Sequence, residues 1–164
     1  MNTLGRCSLM CAILLMGLIA GLFYAGSTAL LGFDAAQRPD AIRAMQTLNA
    51  HFRNWMFGAS FVGSLVMPAL AIVFFAAVRR WPVAGWALAG LLAYLIGGFA
   101  ITLLLNIPLN DSLVALDANG GNSKAITDAY FGSWSFWNWV RIFASLLALG
   151  FLVMAFREEG RQED

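Results

Sequence analysis

Charge is scarce in this sequence. Asp, Glu, Lys and Arg make up 12% of its 164 residues, about half of the ~25% usual in soluble domains. The net charge is +1, which leaves no basic field for nucleic acid and no acidic one for a cationic partner. Histidine occurs once, at His51, so bis-histidine haem ligation within one chain is excluded. The two cysteines, Cys7 and Cys11, stand i, i+4 at the head of an apolar run, and no second pair matches them. That spacing argues against a disulfide framework, a zinc cluster or a CxxC redox motif. No Ser/His/Asp set, phosphate-binding loop or pair of acids is evident. A metal site would have to be assembled from His51, asparagines and Asp111, a poor donor set. No carboxylate falls in the central part of any apolar stretch, which argues against a proton-coupled small transporter built on an intramembrane glutamate.

Apolar residues are what the chain has. They make up 60% of it and the mean hydropathy is +0.73, the composition of an integral membrane protein. Four stretches are long enough to cross ~30 Å of hydrocarbon at ~20 residues each. They are 9–33, 55–78, 81–105 and 130–156. The length fits one domain, 1–164. The fold class expected is all-α: an integral membrane antiparallel four-helix bundle with helical extensions on one side. The first apolar run is longer than a signal-peptide core and has no clear cleavage site, so it reads as a retained helix.

The connections differ. The second and third spans are joined by the tight turn Arg79-Arg80-Trp81-Pro82. The other two connections are long. In the first, Pro39 and Asp40 open a helix that Ile42, Met45, Leu48, Asn49 and Phe52 continue at helical spacing. It is expected over about 39–54, running into the second span. In the second, Leu109, Leu113 and Leu116 carry the third helix past a kink near Pro108, and Asn119-Gly120-Gly121 ends the pattern as a C-cap would. Ser123 or Thr127 can start the fourth helix.

With four spans, both long connections fall on one side, and so do most polar residues of interest. Arg141 lies there, inside the last apolar stretch, just after Trp134, Trp137, Asn138 and Trp139. A guanidinium at membrane depth costs a few kcal/mol or more and needs a partner or a polar cavity. Asn138 and Arg141 are i, i+3, Asn106 and Asn110 are i, i+4, and Ser145 continues the Arg141 face inward. This pattern suits a planar or anionic ligand held under aromatic walls. It equally suits an interfacial aromatic belt with Arg141 paired to Asp111 or Asp128. Gly17 and Gly21 form a GxxxG, the mark of close helix packing. The tail from Glu158 to Asp164 reads as a solvated end. The basic residues divide evenly between the two sides. The adjacent Arg79 and Arg80, with no compensating acid nearby, favour cytoplasmic N- and C-termini at the cell membrane.

Three segments together resemble the anthrone oxygenase-like family of small four-helix membrane proteins. Ala44-Met45-Gln46-Thr47-Leu48-Asn49 resembles its Met-Gln segment. Leu105-Asn106-Ile107-Pro108-Leu109-Asn110 resembles its Asn-x-Pro-x-Asn motif, and Trp137-Asn138-Trp139-Val140-Arg141 its Trp-Asn-x-x-Arg motif. The chain departs from the family pattern at Trp139, where histidine is frequent. The resemblance implies oxidation of an anthrone-like aromatic by O2 with no cofactor: proton loss from a CH2 between aryl rings, then reaction of the carbanion with O2. It casts Arg141, Asn138, Asn110 and Asn106 as the donors that hold the enolate oxygen. Trp137, Trp134, Gln46, Asn49 and Tyr24 would line the substrate, no metal is expected, and His51 or Asp111 would serve as base. The partners expected are the lipid bilayer and a small aromatic ligand. The competing expectation is a non-enzymatic accessory subunit that binds a lipid, a quinone or a partner helix.

Overall fold

A computed structural model gives the fold and describes residues 3–31, 38–52, 54–114 and 123–161. These are helical almost throughout, with no strand among them. The elements are α1 (Thr3–Leu31), α2 (Arg38–Phe52), α3 (Trp55–Ala77), α4 (Trp81–Tyr94), α5 (Ile107–Val114) and α6 (Ser123–Arg161). Two π-helical segments, Leu95–Ala100 and Thr102–Asn106, join α4 to α5. Four helices are long and apolar enough to cross a membrane: Thr3–Ala29, Trp55–Ala77, Trp81–Val114 and Tyr130–Arg161.

α1 packs on α3 and α6, and α4 packs on the same two helices, so the spans close into an up-down-up-down square. Its centre holds Met16, Ile19, Phe23, Phe61, Phe75, Tyr94, Ile142 and Leu152. In lipid such contacts act through close van der Waals fit, since hydrocarbon outside is as apolar as the core. Small residues set that fit. Gly63 of α3 takes the Leu15 side chain of α1. Gly90 lies against the Ala148 carbonyl and Leu152 of α6, and a Cβ on Gly97 would meet the Ala144 Cβ. The GxxxG expected to pack closely does not do so. Gly17 and Gly21 have open space where a Cβ would go, because α1 turns that face outward.

The polar end is built by α2, α5 and the first turns of α6. α2 packs on α5, and Gln46 Nε2 donates to the Leu113 carbonyl at 3.0 Å. Ile42, Met45, Leu113, Tyr130 and Trp134 form a second small core there. α2 does not run into the second span as the spacing suggested. Asn54 adopts an extended backbone, its side chain accepts from Phe57 N at 3.0 Å, and α3 starts afresh. Arg53, Leu116 and the Asn119-Gly120-Gly121 cap lie outside the described residues.

The third span departs from α geometry upstream of Pro108, where the kink was expected. An unbroken α-helix turns ~100° per residue, so Asn106 would sit ~120° round from Tyr94. The π-helical turns slow that rotation. Tyr94, Gly98, Thr102 and Asn106, four residues apart each time, are all buried. Pro108 follows these turns inside the continuous span Trp81–Val114, where it takes away one backbone donor.

At the opposite end the α3–α4 turn closes on Arg79, which has φ 59°. Arg80 N donates to the Phe75 carbonyl at 2.9 Å and Arg79 N to Ala76 at 3.0 Å, a Schellman arrangement with arginine where glycine is usual. Arg80 is not uncompensated, and the C-terminal end is not simply solvated. Glu159 is fully buried. Its Oε1 lies 3.5 Å from Arg80 Nη1 and its Oε2 3.7 Å from Arg6 Nε. The carboxylate ties α1, the turn and α6 together.

Candidate functional site

Arg141 lies on the inner face of α6 and is 6% exposed. Its Nη1 donates to Thr102 Oγ1 at 3.2 Å and its Nη2 to Asn138 Oδ1. The guanidinium carbon stands 4.3 Å from the centroid of the Phe23 ring and 5.9 Å from that of Trp134. Each of these groups is itself held. Asn138 Nδ2 donates to the Phe23 carbonyl at 2.8 Å and to Ser27 Oγ at 2.6 Å, which fixes α6 to α1. Thr102 donates its hydroxyl proton to the Gly98 carbonyl at 2.7 Å and so keeps a lone pair for Arg141. The cation is held in a fixed cradle.

Every group in that cradle is neutral. Burying an ion costs several kcal/mol even after relaxation. Cation–π contact returns about 2 kcal/mol when desolvated, and a hydrogen bond to a charged group about 1.5–3 kcal/mol. These offset the desolvation without neutralising the charge. Asp111 and Asp128, the partners that the sequence offered, are both exposed. The hydrogen bonds of Arg141 go to Thr102 and Asn138 instead. No carboxylate among the described residues pairs with it.

One register further towards the polar end, Tyr130 Oη donates to Asn110 Oδ1 at 3.0 Å. Between these two ties lie groups that have none. Asn106 is fully buried, and neither its Oδ1 nor its Nδ2 has a hydrogen-bond partner. Trp134 Nε1 and Arg141 Nε are unpaired too, as are Asn49 Nδ2 on α2 and Ser145 Oγ one turn beyond Arg141 towards the opposite end. A buried polar atom left unpaired costs about 1–3 kcal/mol. Several in one region of an otherwise apolar bundle mark a place built for something polar.

The family model described as anthrone oxygenase matches residues 52–151, well over half of the chain. This chain belongs to the anthrone oxygenase family. The match takes in the asparagines of the third span and the whole Arg141 segment, and it begins after Gln46 and Asn49. No curated protein and no solved structure matches the chain.

In this anthrone oxygenase family member Asn138 and Trp134 meet Arg141, and Asn106 is buried on the third span four residues beyond Thr102. Asn110 is bonded by Tyr130. Gln46 and Asn49 reach the polar end from α2. Trp137 is half-buried, with its ring against Phe136. Tyr24 is not brought in. It is 53% exposed and meets Trp139 edge-on at 6.5 Å, because Phe23 and Ser27 hold the inward positions of α1. His51 and Asp111 are exposed, and His51 Nδ1 bonds the Thr47 carbonyl at 2.8 Å. Four residues of the site were not singled out from the sequence: Phe23, Ser27, Thr102 and Tyr130. A signal existed for two of them. Ser27 is a polar residue within an apolar run, and Thr102 stands four residues before Asn106.

Proposed function

We propose that this chain binds a phenolic or anthrone-like aromatic as its oxyanion at Arg141 and directs its oxygenation by O2 without a resident cofactor. The observation that carries this reading is the buried guanidinium whose described partners are all neutral. Such a charge favours an anion, and the faces of Phe23 and Trp134 beside it suit a flat ring. Fixed donors stabilise developing charge more strongly in a water-poor site than in water.

The chemistry balances simply. A CH2 between two aryl rings loses a proton, and the electron pair delocalises onto the ring oxygen as an enolate. The carbanion carbon forms a bond to O2, and the hydroperoxide then loses water to leave the ketone of a quinone. Dioxygen is the oxidant: one atom ends in the product and one in water. Arg141, held by Asn138 and Thr102, lowers the cost of the enolate. Asn138 acts by positioning, since its carboxamide is already engaged on three sides. His51 and Asp111 stand outside the buried cluster, so in this reading the proton leaves to water at the polar end. The bilayer is the solvent and both termini face the cytoplasm, at the cell membrane.

The test is O2 consumption by the purified protein with anthrone, against Arg141→Ala. Turnover in the variant is expected to fall by about 100-fold or more, as for loss of a preorganised oxyanion donor. The helical circular dichroism should be unchanged. Full activity in a folded Arg141→Ala protein sinks the proposal. A second reading, a site that only holds an anionic ligand, draws on the same uncompensated cation. It predicts saturable binding of the aromatic with no O2 uptake.

A further inference from the structure

Two hydrogen bonds fix the register of the third span against α6. Thr102 meets Arg141 at 3.2 Å, and Asn110 meets Tyr130 at 3.0 Å. The two helices run antiparallel, so the residues between these ties follow each other in opposite order. Asn106 is midway between Thr102 and Asn110. Trp134 is four residues beyond Tyr130 on the way to Asn138 and Arg141. Asn106 therefore lies between the two ties, opposite the stretch of α6 that holds Trp134. Neither side chain has found a partner. Asn106 keeps a free acceptor and a free donor, and Trp134 Nε1 keeps a donor, although both residues are buried to 4% exposure or less. They do not bond to each other either.

Resting on the reading of Arg141 as an oxyanion site, we infer that Asn106 and Trp134 form a second oxygen subsite that recognises a hydroxyl or carbonyl on the far end of the same aromatic ligand. The chemistry of the two ends differs. The Arg141 end offers a fixed cation and favours a charged oxygen. The Asn106–Trp134 end offers one acceptor and two kinds of N–H donor, and so favours a neutral oxygen that can give and take a hydrogen bond. The Trp134 ring joins the ends, since its face is 5.9 Å from the guanidinium carbon. The ligand class is a flat aromatic with an oxygen at each end. An aromatic with one oxygen would leave three buried polar atoms unpaired, a penalty that makes such sites selective.

The probes are 2-naphthol, with one oxygen, and 2,6-dihydroxynaphthalene, with one at each end. Dissociation constants are measured by calorimetry on the full chain in nanodiscs, for wild type, Asn106→Leu, Trp134→Phe and Arg141→Met. Wild type is expected to prefer the dihydroxy compound by about tenfold or more. Asn106→Leu keeps the shape of the side chain and is expected to erase that preference, weakening the dihydroxy compound with no loss of 2-naphthol affinity. Trp134→Phe keeps a ring and is expected to reduce the preference, while Arg141→Met weakens both ligands. Wild type that binds 2-naphthol but shows no preference overturns the subsite and leaves the Arg141 reading standing. A preference that survives in both Asn106→Leu and Trp134→Phe overturns it too. If neither probe binds wild type, the Arg141 reading falls and the subsite with it.

Discussion

Asn138 gives its oxygen to Arg141 and its Nδ2 to Phe23 and Ser27, so one carboxamide both joins α6 to α1 and aims the guanidinium. Its neutrality matters as much as its geometry. An aspartate of nearly the same shape would pair with Arg141 directly and neutralise the cation. Alanine would remove the anchor and leave the charge. The two substitutions therefore separate position from charge. Asn138→Ala is expected to cost about 1–3 kcal/mol of stability, for the bonds lost and the partners left unpaired. It should still bind a phenolate measurably. Asn138→Asp should bind the same phenolate less well than Asn138→Ala does, because the anion meets an occupied cation. The check is the 2-naphthol dissociation constant at a pH where the ligand is ionised, with thermal unfolding in parallel. An equal or tighter affinity for Asn138→Asp would mean that the site does not read charge.

At the scale of elements, the hydropathy of the chain made four spans and the amphipathic α2 legible, because both signals are periodic or long. Register within the third span was not legible. From Leu95 to Leu105 almost every residue is apolar or glycine, so nothing in the composition distinguishes a π turn from an α turn. The outcome is visible only in which side chains end up buried together: Tyr94, Gly98, Thr102 and Asn106. π turns recur at functional sites because they re-aim side chains in this way. The glycines teach a related lesson. The i, i+4 pair Gly17 and Gly21 shows that one face of α1 is small, but not that a helix lies against it. The close approaches are made at Gly63, Gly90 and Gly97. Alanine exchange separates the two kinds. Gly97→Ala forces the π-helical part of the third span and α6 apart at the Ala144 Cβ and should destabilise by about 1–3 kcal/mol. Gly21→Ala meets open space and, by the helix propensity of alanine, should be neutral or stabilising by up to about 1 kcal/mol. Thermal unfolding in one detergent reads both. Equal melting temperatures for the two variants would contradict the packing described here.

For the whole molecule, the two ends have opposite designs. One is an elaborated polar cap over unpaired donors. The other is a tight turn locked by Glu159 between Arg6 and Arg80. That lock was hidden in the sequence, because Glu159 sits in a polar tail and its partners are 79 and 153 residues away. The structure also alters the charge count that sets orientation. Arg141 is enclosed in the bundle, so it is no longer a loop cation of the polar end. Arg38, Arg43, Arg53 and Lys124 remain on that side, against Arg6, Arg79, Arg80, Arg157 and Arg161 on the other. Basic residues near span ends govern orientation and acids contribute little, so Glu159 does not cancel its neighbours in this count. On that balance we propose a cytoplasmic turn and an outward-facing polar cap, with a substrate reaching the site from outside or along the outer leaflet. Two exposed positions test this in a background carrying Cys7→Ser and Cys11→Ser: Gly160→Cys at the turn end of α6 and Asp111→Cys on α5. A membrane-impermeant maleimide added to intact cells should label Asp111→Cys and spare Gly160→Cys until the membrane is opened. The reverse pattern would place the polar cap in the cytoplasm and make the substrate an intracellular one.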